Sequence, residues 1–313
     1  MDPSKPDWER QAIIDLAESG LKEQRRARRW GIFFKLLGFA YLFVVLISFV
    51  GFNQVEFESI NEPHTALVDL VGVIAEGEEA SADNIVAGLR DAFESEAAAA
   101  VILRINSPGG SPVQSAYIND EINRLRAMYP SKPIYAVIAD VCASGGFYVA
   151  VAADKIFVNE SSIVGSIGVR MDGFGFVDTI KKLGIERRLL TAGEHKALLD
   201  PFSEEKKFEK AHVQNLLDEV HDKFIAAVKR GRGDKLVDDP ALFSGLFWTG
   251  ERAITLGLVD EIGSAGYVAR EVVEAENIID YSHKQDFLER FAGNLGSAMV
   301  NQLKTLLNGP VLQ

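Results

Sequence analysis

Cysteine is almost missing from this sequence: of 313 residues only Cys142 is one, so no intrachain disulfide is available and no CxxC zinc site can be built. The five histidines, His64, His195, His212, His221 and His283, form no HExxH-type pair, and no metal site or cofactor is expected. Excess positive charge is absent outside the N-terminal region, and the formal net charge is −12, which disfavours a nucleic-acid partner. There is no internal repeat and no low-complexity stretch, and the GxSxG signature of a nucleophile elbow is also missing. With 47% apolar and 25% charged residues, what remains has the composition of a folded globular chain.

One stretch departs from that pattern. Residues 32–52, IFFKLLGFAYLFVVLISFVGF, carry Lys35 as their only charge. As a helix they would be about 31 Å long at about 1.5 Å per residue, against a hydrocarbon core of about 30 Å. A cleaved signal peptide would have a shorter apolar region and a small-x-small site, which Ser48 to Phe52 does not offer. A buried core helix would rarely follow Arg25, Arg26, Arg28 and Arg29. Residues 31–52 are therefore expected to be a retained anchor in a lipid bilayer. Basic residues precede it and Glu56, Glu58 and Glu62 follow it, so residues 1–30 are predicted to be cytoplasmic and residues 53–283 to form an exported domain. Residues 284–313 are predicted to be an amphipathic helical tail, with Phe291, Leu295, Met299 and Leu303 aligned.

The exported part reads as α/β. Apolar runs at 66–75, 99–105 and 133–139 predict strands buried on both faces. Helical spacing over 81–93 and 114–128 alternates with them, Ser81 being the expected N-cap of the first helix. A short packed helix is predicted at 144–153 and further short strands at 155–158 and 186–190. Helices are predicted at 204–229, with Val213, Leu217, Phe224 and Val228 on one face, and at 249–256. Strands alternating with helices imply a parallel sheet with crossover connections.

Two glycine segments follow predicted strands. Ser107-Pro108-Gly109-Gly110 can turn sharply and expose N–H groups able to stabilise an oxyanion, or it can be a plain strand-to-helix turn. Ala143-Ser144-Gly145-Gly146 puts a serine at a helix start, either as nucleophile or as a simple cap. A serine nucleophile needs a base. Lys196 stands in Gly193-Glu194-His195-Lys196, beside His195 as the alternative base. A lysine is ordinarily protonated until about pH 10.4, and a useful base needs roughly 7–8. Burial among apolar groups can supply that difference, about 4 kcal/mol, whereas a surface lysine has no such role.

Together with Gly165-Ser166-Ile167-Gly168, these segments occur in an order that resembles the signal peptide peptidase A family of bacterial serine proteases, over roughly residues 65–265. The resemblance implies a crotonase/Clp-protease-like fold of repeated ββα units preceded by one transmembrane helix. It implies Ser144 as nucleophile, Lys196 as general base, Ser166 holding the lysine amine, and the N–H groups of Gly110 and Gly145 as oxyanion donors. No cofactor is implied. It further implies a short, single-domain form that assembles as a homo-oligomer, an octamer being the expected count, in the bacterial inner membrane. The N-terminus would be cytoplasmic, the catalytic domain periplasmic, and the substrates remnant signal peptides. An acyl-CoA enzyme on the same fold and a non-enzymatic membrane scaffold are the competing readings.

Overall fold

A computed structural model of the chain describes residues 14, 20, 22–26, 28–45 and 62–283. The chain divides into two compact units, Met1–Glu62 and Pro63–Gln313. In the first, residues 22–26 and 28–45 are helical (α1). Of the predicted anchor, residues 31–45 are thus helical and residues 46–52 lie outside the described residues, as does the predicted tail, 284–313. Among the described residues no helix is long and apolar enough to cross a membrane.

The second unit is a mixed α/β domain on an eight-stranded sheet. In chain order it comprises β1 (His64–Val71), α2 (Ala82–Glu94), β2 (Ala98–Ser107), α3 (Pro112–Met128), β3 (Ile134–Ala143), α4 (Gly145–Ala150), β4 (Lys155–Val158) and β5 (Ile163–Gly165). There follow α5 (Val177–Lys182), α6 (Lys207–Arg232), β6 (Phe247–Thr249), α7 (Gly250–Thr255), β7 (Glu261–Ile262), α8 (Ala265–Tyr267) and β8 (Ile278–Asp280). The strands run β6-β5-β3-β2-β1-β8, with β4 beside β3 and β7 beside β4. Among the described residues only the β5–β6 pairing is antiparallel.

The continuous apolar runs of β1, β2 and β3 are explained by burial on both faces. Val68, Leu70, Val101, Leu103, Ile105 and Ile138 enter a large core beneath α2, α3, α4 and α6. Leu67, Ile102, Val137 and Phe157 enter a smaller one under Val268 and Ala269. Each such side chain contributes about 1.5–3 kcal/mol of apolar transfer. Ser81 caps α2 by accepting from the Asn84 N–H (3.5 Å), and Ser111 caps α3 by accepting from the Gln114 N–H (3.3 Å). The helix starts are tied together by Gln114 Oε1, which accepts from the Ala82 N–H at 2.7 Å.

β3 runs further than its apolar pattern predicts. The polar Asp140 faces outward and accepts from Asn106 Nδ2 (3.0 Å), while the Val141 N–H donates to Asn106 Oδ1 (3.2 Å), so the strand continues to Ala143. Its first half pairs with β4 and its second half, Val141–Ala143, with β5. The strand predicted at 186–190 is absent: those residues are exposed, irregular and paired with nothing in the sheet. Among the described residues the segment has no neighbouring strand to bond and stays irregular.

Candidate active site

The carboxyl ends of β1, β2 and β3 converge, the usual location of ligand sites in parallel α/β sheets. Ile74, just past β1, forms a parallel bridge with Gly110: the Ile74 N–H donates to Gly109 O (2.9 Å) and the Ser111 N–H donates to Ile74 O (2.7 Å). In that pattern the N–H of Gly110 itself points away from Ile74. The Gly145 N–H is at the first position of α4, where no intrahelical acceptor exists. Neither N–H has an acceptor among the described residues. The two segments touch: a Cβ built on Gly145 would lie 3.2 Å from the Gly110 nitrogen.

Gly109 makes this approach possible. A Cβ there would fall 2.7 Å from Gly145 N and 2.8 Å from Ser144 Cβ, and its φ is +98°. Only a residue without a side chain fits such a backbone contact.

Ser144 has φ 51° and ψ −121°, a sparsely populated conformation for a non-glycine residue, costing about 1–3 kcal/mol. It is held by its N–H, which donates to Gly165 O (2.9 Å), and by its carbonyl, which accepts from the Tyr148 N–H (3.0 Å). Its side chain makes no capping bond, so the simple cap does not account for it. A strained turn between strand and helix that leaves Oγ free has the logic of a nucleophile elbow without its sequence signature. α4 has only six residues, so the orphan N–H groups, rather than a long helix dipole, are what this end can offer an anion.

Ser166 lies beside it. It too has positive φ (53°), and its N–H donates to Leu246 O (2.7 Å). Gly165 before it has φ +111° and faces the Trp248 ring, which would be 2.8 Å from a Cβ. Ile167 O accepts from His221 Nε2 (3.1 Å), and a Cβ on Gly168 would lie 3.1 Å from Gly245 Cα. Cys142 is fully buried, and burial pushes its thiol pKa up, which keeps it a neutral packing group.

The structure brings Gly110, Gly145, Ser144 and Ser166 together; Lys196 is not joined to them within the chain. It sits exposed in the turn 194–199, with its N–H donating to Gly193 O (3.2 Å) and its Nζ in no hydrogen bond or ion pair among the described residues. His195, the alternative base, has its ring 4.8 Å from that of Phe208 on α6. The segment between Gly168 and α6 displays Met171, Phe174, Leu183, Ile185 and Leu190 to solvent, Leu190 at 97% exposure. A cavity of about 1060 Å³ lies between this segment and the start of α6, lined by Phe174, Leu189, Phe202 and Val213 among others. Two of its lining residues are held by Arg187, which pairs with Asp200 at 2.6 Å and lies 5.1 Å over Phe202.

Fold and site together set a strained serine beside two backbone N–H groups that have no acceptor among the described residues. Residues 127–278 match the sequence family described as Peptidase family S49. The chain is 49% identical over 175 residues (56% of its length) to a Brucella melitensis protein named Na(+)/H(+) antiporter NhaA, a match covering 24% of that protein. It is 30% identical over 227 residues to a protein of Enterococcus faecium provisionally named signal peptide peptidase SppA, covering 69% of this chain and 65% of the other. With Protease 4 of Haemophilus influenzae it shares 33% identity over 235 residues, covering 74% of this chain and 38% of that one. This chain belongs to peptidase family S49. It spans about a quarter to two thirds of the length of these relatives.

Proposed function

We propose that the chain is a membrane-anchored serine endopeptidase that uses Ser144 and Lys196 to cleave unfolded apolar peptides, remnant signal peptides among them. The observation that carries this reading is Ser144 itself: a positive-φ serine with an uncommitted hydroxyl, set beside the unbonded N–H groups of Gly110 and Gly145.

In the reaction Ser144 Oγ attacks the scissile carbonyl carbon while its proton passes to neutral Lys196 Nζ. The carbonyl oxygen becomes an oxyanion and takes hydrogen bonds from Gly110 and Gly145. The C–N bond then breaks as the lysine returns the proton to the leaving amine. Water, deprotonated by the same lysine, hydrolyses the acyl-enzyme. Ser166 accepts from the lysine amine and aims it. The domain is read as the crotonase/Clp-protease type, with the Ile74–Gly110 bridge and the β3–β5 pairing as second strands of ββα units.

A lysine amine becomes a base only out of water, and Lys196 is exposed in the single chain. The apolar side chains displayed between Met171 and Leu190 would be covered in a homo-oligomer, and the same contact would desolvate Lys196. Residues 31–52 supply the anchor, residues 1–30 the cytoplasmic segment and residues 53–283 the exported domain, in the bacterial inner membrane. The exposure of Lys196 also favours a second reading, a non-enzymatic scaffold. Hydrolysis of an apolar fluorogenic peptide by the detergent-solubilised chain, lost in Ser144→Ala, is the expected result. Wild-type turnover in Ser144→Ala would refute the first reading.

A further inference from the structure

His221 is the one polar residue on the inward stripe that runs from Val213 through Leu217 and Phe224 to Val228 along α6. Its Nε2 lies 3.1 Å from the carbonyl oxygen of Ile167. A carbonyl can only accept, so Nε2 carries the proton. Ile167 is fully buried, and among the described residues His221 is the sole partner of its carbonyl. One turn along the same helix, the Phe224 ring packs 5.1 Å from that of Tyr148. The Tyr148 N–H donates to Ser144 O (3.0 Å). Two side chains one turn apart thus brace the segments behind both serines.

The turn at Gly165–Gly168 is held at every residue by a neighbouring segment. Gly165 O is held by the Ser144 N–H, the Ser166 N–H by Leu246 O, Ile167 O by His221, and Gly168 packs against Gly245. Of these, only the His221 bond comes from a side chain, and only it can be removed without touching the backbone. α6 is also the helix into which the segment carrying Lys196 leads. The Ile167–Gly168 peptide unit, one residue past Ser166, is therefore oriented by the same helix that receives the lysine segment.

We propose that His221 is a positioning residue, whose hydrogen bond to Ile167 orients the Gly165–Gly168 turn and with it the hydroxyl of Ser166. This rests on the Ser144–Lys196 reading above, with Ser166 directing the amine. A misdirected Ser166 leaves the peptide-binding surface intact but misplaces the base, and small misplacements cost large factors in rate.

The test compares His221→Leu with His221→Gln in the full chain in detergent. A glutamine amide can donate from a similar place; leucine cannot. In His221→Leu, kcat on an apolar peptide is expected to fall about tenfold with KM changed less than about twofold, and His221→Gln to recover most of the loss. The two variants should melt alike. Hydrogen exchange over residues 165–168 should quicken in His221→Leu but not in His221→Gln, a readout independent of catalysis. Unchanged exchange and unchanged kcat in His221→Leu would overturn the proposal. An inert wild type with quickened exchange in His221→Leu would support the tether while refuting the peptidase reading, so the two failures are distinct.

Discussion

Ser144 and Ser166 each follow one member of a paired couple, Ala143 and Gly165, at neighbouring strand ends, and both have φ near +50°. The Ser144 N–H donates to Gly165 O across that pairing, so the two unusual conformations are locked to one another by backbone geometry. Strain of this kind survives only where surrounding structure fixes it, and here β3, β5 and β6 do so.

Lys196→Ala separates chemistry from folding. The lysine is exposed and its amine makes no hydrogen bond or ion pair among the described residues, so stability should stay within the range of a neutral surface change, about 0.5 kcal/mol. Turnover should fall by at least the factor of about 10²–10⁴ assigned to general base catalysis. Thermal melting and peptide hydrolysis on one preparation decide it; undiminished hydrolysis would remove the dyad.

Ser166→Ala should slow hydrolysis by a smaller factor, about tenfold to a hundredfold, because the residue orients the base without taking the proton. Its conformation depends on its N–H and on Gly165, which the substitution keeps. Rates equal to wild type would exclude Ser166 from the site.

Gly109→Ala should damage both fold and site. Its Cβ would meet backbone of residues 143 and 145 and Cβ of Ser144 within 2.8 Å, at a φ that disfavours a side chain. Overpacking of this kind costs about 1–3 kcal/mol. Urea unfolding should show a lower midpoint, and peptide turnover should be lost even at temperatures where the variant is folded.

Acid stability should depend on Asp260. Burial opposes its ionisation, but hydrogen bonds from Arg232, Lys235 and the Ile156 N–H outweigh that and hold its pKa at about 2. Glu121, hydrogen-bonded by Arg124 and Arg90, is likewise held at about 2. Both lie below the ordinary carboxylate values of about 4. Their stabilisation is therefore complete above about pH 4 and disappears as pH falls towards 2. Asp260→Asn, which leaves the Arg232 guanidinium (2% exposed) without its carboxylate, should cost about 3 kcal/mol at neutral pH. Its urea midpoint should also vary less than wild type between pH 5 and 2. Equal pH slopes would show that the pair contributes nothing.

Much of the frame was legible because long apolar runs have few alternatives. The runs at 66–75 and 99–105 read as buried strands, and Ser81 with Asn84 marked a helix start. Ser144 was legible through the glycines after it. Its conformation was not, since φ is set by Gly165 O, a residue on a strand too short to show a period. β5, β6 and β8 have three residues each, below what alternation can reveal. Asp140 hid the last turnings of β3 because its partner, Asn106, is remote in sequence. His221 did leave a signal, a histidine on an apolar stripe, but nothing in the sequence names Ile167 as its acceptor. The lysine segment was the least legible, for Met171, Leu183, Ile185 and Leu190 are exposed among the described residues and show no buried periodicity.

The most direct measurement is fluorophosphonate labelling of the assembled protein in detergent, with the adduct located by mass spectrometry. A single adduct on Ser144, abolished in Lys196→Ala while the fold is kept, is the predicted result. A folded, assembled wild-type protein that takes no label at Ser144 would contradict the account and leave the strained serine as part of a scaffold.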